Sequence, residues 1–201
     1  MKAIMRKQVI WAFCCLLVST FPQKSIAEET PSACSKCEAA LEEQQSSLAL
    51  DYDAFDQTPT QGWRRLADME CYRQAAELIV SYLNTNGNFR GNEHEILSFH
   101  AGQMYAYDGD YESAIPFFEQ SFSSHEGIPP EFQPYIDAWN IYVNATISFL
   151  MQDQAALLAC RDELAEGPTL DDGEVMNLNV VDRLIQNFGE PYSQAYSGTE
   201  E

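Results

Sequence analysis

Cys34-Ser35-Lys36-Cys37 is the sharpest chemical motif in the chain. Two thiols three positions apart at a helix start suit disulfide exchange, because a helix N-terminus favours thiolate. Haem attachment needs histidine directly after the second cysteine, and Glu38 stands there. A four-cysteine zinc site needs close partners for Cys71 and Cys160, and neither has one in sequence. No βαβ pattern follows, so the setting of a thioredoxin-like enzyme is missing. The set Cys34, Cys37, Cys71 and Cys160 thus has structural disulfides as its leading reading, with connectivity open among three pairings. Inert thiols are the second reading, and a redox or metal-handling pair at Cys34 and Cys37 the third.

The other reactive side chains offer less. In His94-Glu95-Ile96-Leu97-Ser98, a serine occupies the position where a zinc protease places its second histidine. His94 and His100 are six apart and do not share a helix face, and Ser124-His125 falls in a loop, so the histidines read as surface residues. Asp51, Asp53 and Asp56, and likewise Asp171, Asp172 and Glu174, miss the spacing of a calcium loop and read as solvated loop acids. Asn144-Ala145-Thr146 matches a glycosylation sequon inside a helix and is set aside. No glycine-rich phosphate loop occurs. The expectation is no catalytic residue, no metal and no cofactor.

Charge and the N-terminus set the outer bounds. Lys2, Arg6 and Lys7 precede an apolar run over 9–18, and Ser25-Ile26-Ala27 follows as a cleavage site for an export signal. The run is shorter than the roughly 20 residues of a membrane span; an uncleaved anchor is the alternative. Cys14 and Cys15 leave with a cleaved signal. Removing 1–27 takes four bases and no acid, leaving seven bases against 31 acids, a formal charge of −24. Such a surface repels phosphate backbones and anionic lipid, which excludes nucleic acid as a partner and argues against membrane association. It suits solubility, a basic partner or a cation.

The elements that must position any site are helical throughout. A leader helix carries the cysteine pair to about residue 48, and an acidic, aromatic loop follows over 51–57, with Tyr52 and Phe55 free to tuck inward. Thr58-Pro59-Thr60-Gln61 reads as a helix start, with Thr58 capping and Pro59 at the first helical position. That helix carries Trp63 and Leu66, and a second carries Tyr72, Ala75, Ala76, Ile79 and Leu83. After a turn over 84–91, Asn92 with Glu95 caps the next helix. Pro130 opens a long helix over about 131–151. Another follows over 155–165, a last one over 175–188, and the segment 191–196 packs back. The expected division is a signal over 1–27, a leader over 28–57, one helical domain over 58–196 and a frayed tail over 197–201.

The centre of the chain is the stretch 98–122. Leu97, Ala101, Met104 and Tyr105 recur at helical spacing before Asp108-Gly109-Asp110, and Tyr111, Ala114, Ile115, Phe118 and Phe122 after it. Gly109 closes one helix with positive φ, and Asp110 caps the next. Gly102 and Ala114 are small enough for close helix approach, and Pro116 sits inside the second helix. This hairpin resembles a tetratricopeptide repeat: Gly102 and Tyr105 match its first helix, Gly109-Asp110-Tyr111 its corner, and Ala114 and Phe118 its second helix. The family's tryptophan near the hairpin start is absent, Ser98 standing there, and so is its closing proline. Tyr72 and Ala75 repeat Tyr111 and Ala114 at an offset of 39 residues, and Trp139, Val143 and Thr146 resemble the first helix of a third repeat.

The resemblance implies an all-α domain of stacked αα-hairpins, a short solenoid with a C-terminal capping helix. It implies a groove lined by first helices, here His100, Gln103, Tyr107, Asn140 and Asn144, to take a protein or peptide. Lysine and arginine, which clamp carboxylates in well-known members, find no place on this face. The expectation is a periplasmic or secreted, non-catalytic interaction or assembly module, with the Cys34–Cys37 redox or metal-handling protein as the alternative.

Overall fold

The computed structural model describes residues 33–198, with side chains from residue 35 onward. The expected signal over 1–27 with Cys14 and Cys15, the first residues of the leader (28–32), the Cys34 side chain and the end of the tail (199–201) lie outside the described residues. Within them the fold is all-α: helices α1 Ala33–Gln44, α2 Arg64–Asp68, α3 Tyr72–Thr85, α4 Glu93–Tyr107, α5 Tyr111–Gln120, α6 Gln133–Leu150, α7 Gln154–Ala165, α8 Leu178–Gln186 and α9 Tyr192–Ser197. A 3₁₀ turn, Gln45–Ala49, and a π turn, Asp53–Gln57, join α1 to the rest. Among the described residues the only extended pairing is an isolated bridge, Thr169 to Val175. No helix there is long and apolar enough to cross a membrane.

The α4–α5 corner forms as its residues dictate. Gly109 has φ +82°, and the Asp110 carboxylate accepts from the Ser113 backbone N–H at 3.1 Å. A Cβ on Gly102 would lie 3.0 Å from the Ala114 carbonyl oxygen and 3.1 Å from the Phe118 ring, so glycine lets α4 lie directly on α5. Arg73 on α3 reaches Asp108 and Asp110, tying the preceding helix to the corner. Asp153 caps α7 as Asp110 caps α5.

Two expected helix starts move, and a third, at Asn92, forms in place without its expected cap bond. Thr60 and Gly62 take positive φ (64° and 52°), so 59–62 turns and α2 begins only at Arg64. A Cβ at Gly62 would stand 2.1 Å from the Phe55 carbonyl oxygen; that contact fixes the turn. The Thr58 hydroxyl donates back to the Asp53 carbonyl instead of capping. Asn92 precedes α4 without a side-chain cap bond, and the Glu93 carboxylate accepts the Arg90 N–H instead. Pro130 belongs to a turn, and Pro134 sits in the first turn of α6.

Two apolar clusters form the interior, and α4 supplies both. Leu97, Ala101 and Met104 join Phe55, Trp63, Leu66, Leu78, Ile79 and Tyr82 in one. Phe99 and Ala106 join Phe118, Tyr142, Phe149, Leu157, Leu184 and Tyr192 in the other. A helix buried on several sides shows little amphipathy, and α4 is the centre of the fold. Phe55 stacks on Tyr82 with ring centroids 3.8 Å apart; fully burying such a ring contributes about 1.5–3 kcal/mol.

Cys37 is joined to Cys71, with Cα atoms 5.4 Å apart across 34 residues of sequence. The bond ties α1 to the residue just before α3, and Cys71 is 2 % exposed. Closing a loop of that length removes unfolded-state entropy worth about 3–4 kcal/mol on the chain-entropy account.

Candidate functional site

Asp56 is fully buried, 0 % exposed, which corrects its reading as a solvated loop acid. Its Oδ1 accepts from Trp63 Nε1 at 2.8 Å and from His100 Nδ1 at 2.7 Å. Its Oδ2 accepts from Gln57 Nε2 at 2.6 Å, and Arg64 Nε donates to its carbonyl. An ionised carboxylate only accepts, so the proton between Asp56 and His100 sits on Nδ1, leaving Nε2 on the far side of the ring. Burial alone would raise the Asp56 carboxyl, but the His100 bond and charge, the Trp63 bond and the Arg64 charge outweigh it and hold the group below the usual range. Asp56 thus pins the π turn, Trp63 and Arg64 onto α4.

Above this network lies a hollow of about 300 Å³. Helix α4 lines it with Ile96, Phe99, His100 and Gln103, and α6 with Trp139 and Tyr142. Gln57 and Arg64 close one margin, Asn177 and Tyr196 another. Arg64 corrects the expectation that this face holds no arginine. Its guanidinium lies 4.4 Å from the Trp63 ring centre, and among the described residues no acid pairs with it.

Of the five residues expected along the groove, His100 and Gln103 line the hollow, Gln103 being only 8 % exposed. Tyr107 lies one turn beyond and is half-buried against Tyr72, Tyr192 and Tyr196. The returning helix α9 covers that end, held by Tyr192 N–H donating to the Tyr111 hydroxyl and Arg183 Nε to the Tyr196 carbonyl. Asn140 lies off the hollow: its amide accepts from Ser123 N–H and donates to the Ser123 carbonyl, both at 2.9 Å. With Trp139 Nε1 donating to the Ser121 carbonyl at 2.8 Å, it fastens the α5–α6 loop to α6. Asn144 is exposed and does not line the hollow. The neighbouring faces of α6, bearing Trp139 and Tyr142, turn inward instead.

Among the described cysteine side chains only Cys37 and Cys71 come together. Cys37 is bonded to Cys71 and not to Cys34, and Cys160 is a free thiol whose pKa burial raises. His125 pairs with Asp137 at 2.9 Å in an exposed position, and His94 meets the edge of Phe89. Among the described residues no three His, Cys, Asp or Glu side chains gather to hold a metal.

Sequence reasoning missed Asp56, Arg64 and the wall of Phe99, Trp139 and Tyr142. An acid between Phe55 and Gln57 with tryptophan seven residues on was a readable hint of a buried acceptor. The decisive partner, His100, is 44 residues away. No family model matches the chain, and neither does any curated protein or solved structure.

Proposed function

We propose that this protein is an exported, tetratricopeptide-like interaction module that holds a segment of a partner protein against α4 and α6. The observation that carries the reading is the hollow between those helices. The half-buried Trp139 supplies its aromatic edge, backed by the buried Phe99 and Tyr142, and Gln103, His100 and Arg64 supply hydrogen-bonding groups. Aromatic walls with a few placed polar groups are what a peptide-binding groove requires. The Asp56 network holds His100 in one orientation beforehand, which lowers the ordering cost of binding. The solenoid arrangement is supported by the matching residues over 98–122 and by the order of packing, α3 on α4, α4 on α5, α6 on α7, with α8 against α6 and α7. Export is supported by the residue pattern over 1–27 and by the Cys37–Cys71 bond, which belongs to an oxidising compartment.

Affinity capture with cross-linking from the cells that make the protein tests this proposal, with Ile96→Asp run beside the wild type. Ile96 is half-buried at the hollow and outside both apolar clusters, so its fold can be checked by thermal melting. One dominant partner lost in Ile96→Asp supports the module and its groove. A partner retained in full moves the site elsewhere on the surface. With no captured partner the module reading fails.

A further inference from the structure

A second, larger hollow of about 530 Å³ opens where the first turns of α4 and α6 meet the 123–129 loop. Glu95 sits beside Ile96 on α4, and Tyr135 and Ile136 lie one turn before Trp139 on α6, so both hollows are built on successive turns of the same two helices. Ile128, Phe132, Tyr135 and Ile136 supply apolar and aromatic surface, while Glu95 and Glu126 supply carboxylates. Among the described residues no base lines it. Asn140 and Trp139, by gripping Ser123 and Ser121, hold the loop that forms its wall.

Glu95 is unusual within it. Its Oε2 is shielded from solvent and has no hydrogen-bond partner. No cation of the described residues pairs with the carboxylate. A partly dehydrated, unpaired charge attracts a cation with little screening. With Oε2 shielded, Oε1 is the oxygen left for a donor arriving through the hollow. A single oxygen suits a compact ammonium, whereas a guanidinium fork uses two. An aliphatic stem would lie along Ile128 and Ile136, and aromatic rings in the same lining favour a cation further. The formal charge of −20 selects a basic partner in the same sense.

We infer that this hollow is the seat of a lysine side chain, carried by the partner segment that the neighbouring hollow binds. The inference rests on the proposed function for its partner and on Glu95 for its chemistry.

The test is a ¹H–¹⁵N NMR titration of the purified, disulfide-bonded protein with n-pentylammonium, 1-pentanol and n-propylguanidinium in turn. Pentylammonium is expected to give saturable shifts at millimolar concentration, centred on the amides around Glu95, Ser124 and Tyr135. Glu95→Gln should weaken it by about tenfold or more, as loss of a charge-assisted contact implies. Phe132→Ser, at a side chain 55 % exposed, should weaken it severalfold without touching the core. The spectra of both variants report directly whether the fold is intact. Equal binding by pentanol, equally tight binding by propylguanidinium, an unchanged Glu95→Gln or no shift at all overturns the lysine seat. The probe needs no partner, so its failure leaves partner binding at the first hollow standing. Failed capture with a working probe does the reverse.

Discussion

Replacing Asp56 by asparagine and by alanine separates the charge of the buried carboxylate from its hydrogen-bonding shape. Oδ1 takes both Trp63 Nε1 and His100 Nδ1, while Oδ2 takes only Gln57 Nε2. An asparagine with its carbonyl oxygen in the place of Oδ1 keeps the first two bonds. Its NH₂ then faces the Gln57 amide, which is exposed and can turn over to accept. What is lost is charge assistance, so Asp56→Asn is expected to cost about 1–2 kcal/mol. Alanine leaves both the indole N–H of Trp63, a residue 3 % exposed, and His100 Nδ1 without an acceptor. The expected cost is about 3–5 kcal/mol. Because the Asp56 carboxyl is held below its unfolded value, its contribution is complete above that unfolded value, near pH 3.9, and is lost as pH falls through the folded one. The wild-type advantage over Asp56→Asn therefore shrinks as pH falls below about 4. Urea unfolding followed by tryptophan fluorescence at pH 7 and at several acidic values measures both effects. An Asp56→Ala loss below about 1 kcal/mol, or an advantage that grows in acid, would show that the buried carboxylate does not hold this network together.

Other substitutions probe other joints. Cys37→Ser, or reduction of the Cys37–Cys71 bond, should lower stability by about 3–4 kcal/mol in urea unfolding, from the 34-residue separation alone. Gly62→Ala should cost about 3 kcal/mol or more, because φ is +52° and the new Cβ would meet the Phe55 carbonyl at 2.1 Å; a melting temperature equal to wild type would contradict this. Asn140→Ala removes both bonds to Ser123 and should cost about 1–2 kcal/mol. It should also speed amide exchange through the 123–129 loop, as hydrogen-exchange mass spectrometry would show.

The parts of the fold legible in the sequence are those that local residues decide. Gly109 and Asp110 specify the α4–α5 corner, and Gly102 with Ala114 specifies how closely its helices approach. The expected start at Pro59 failed because Gly62 must take positive φ under the Phe55 carbonyl, a contact that capping rules do not weigh. The site was half legible. His100 and Gln103 follow from helix periodicity, since both face away from the Leu97–Ala101–Met104 stripe. That face is narrowed to a hollow, however, because 56–64 and α9 return to its margins from distant parts of the chain. Asn140 was drawn to the groove by its register after Trp139. Its amide is taken instead by Ser123, 17 residues earlier. The disulfide partner of Cys37 was equally out of reach, since it depends on α1 lying against α3.

The proposed partner segment would lie in the hollow between α4 and α6. Site-specific photo-crosslinking tests it most directly, with benzoylphenylalanine placed at Ile96 in the hollow and, as control, at Glu119 on the exposed side of α5. One discrete adduct is expected from position 96 in the cells that make the protein, and none of that mass from position 119. An adduct of the same mass and yield from Glu119, or none from Ile96, would contradict it.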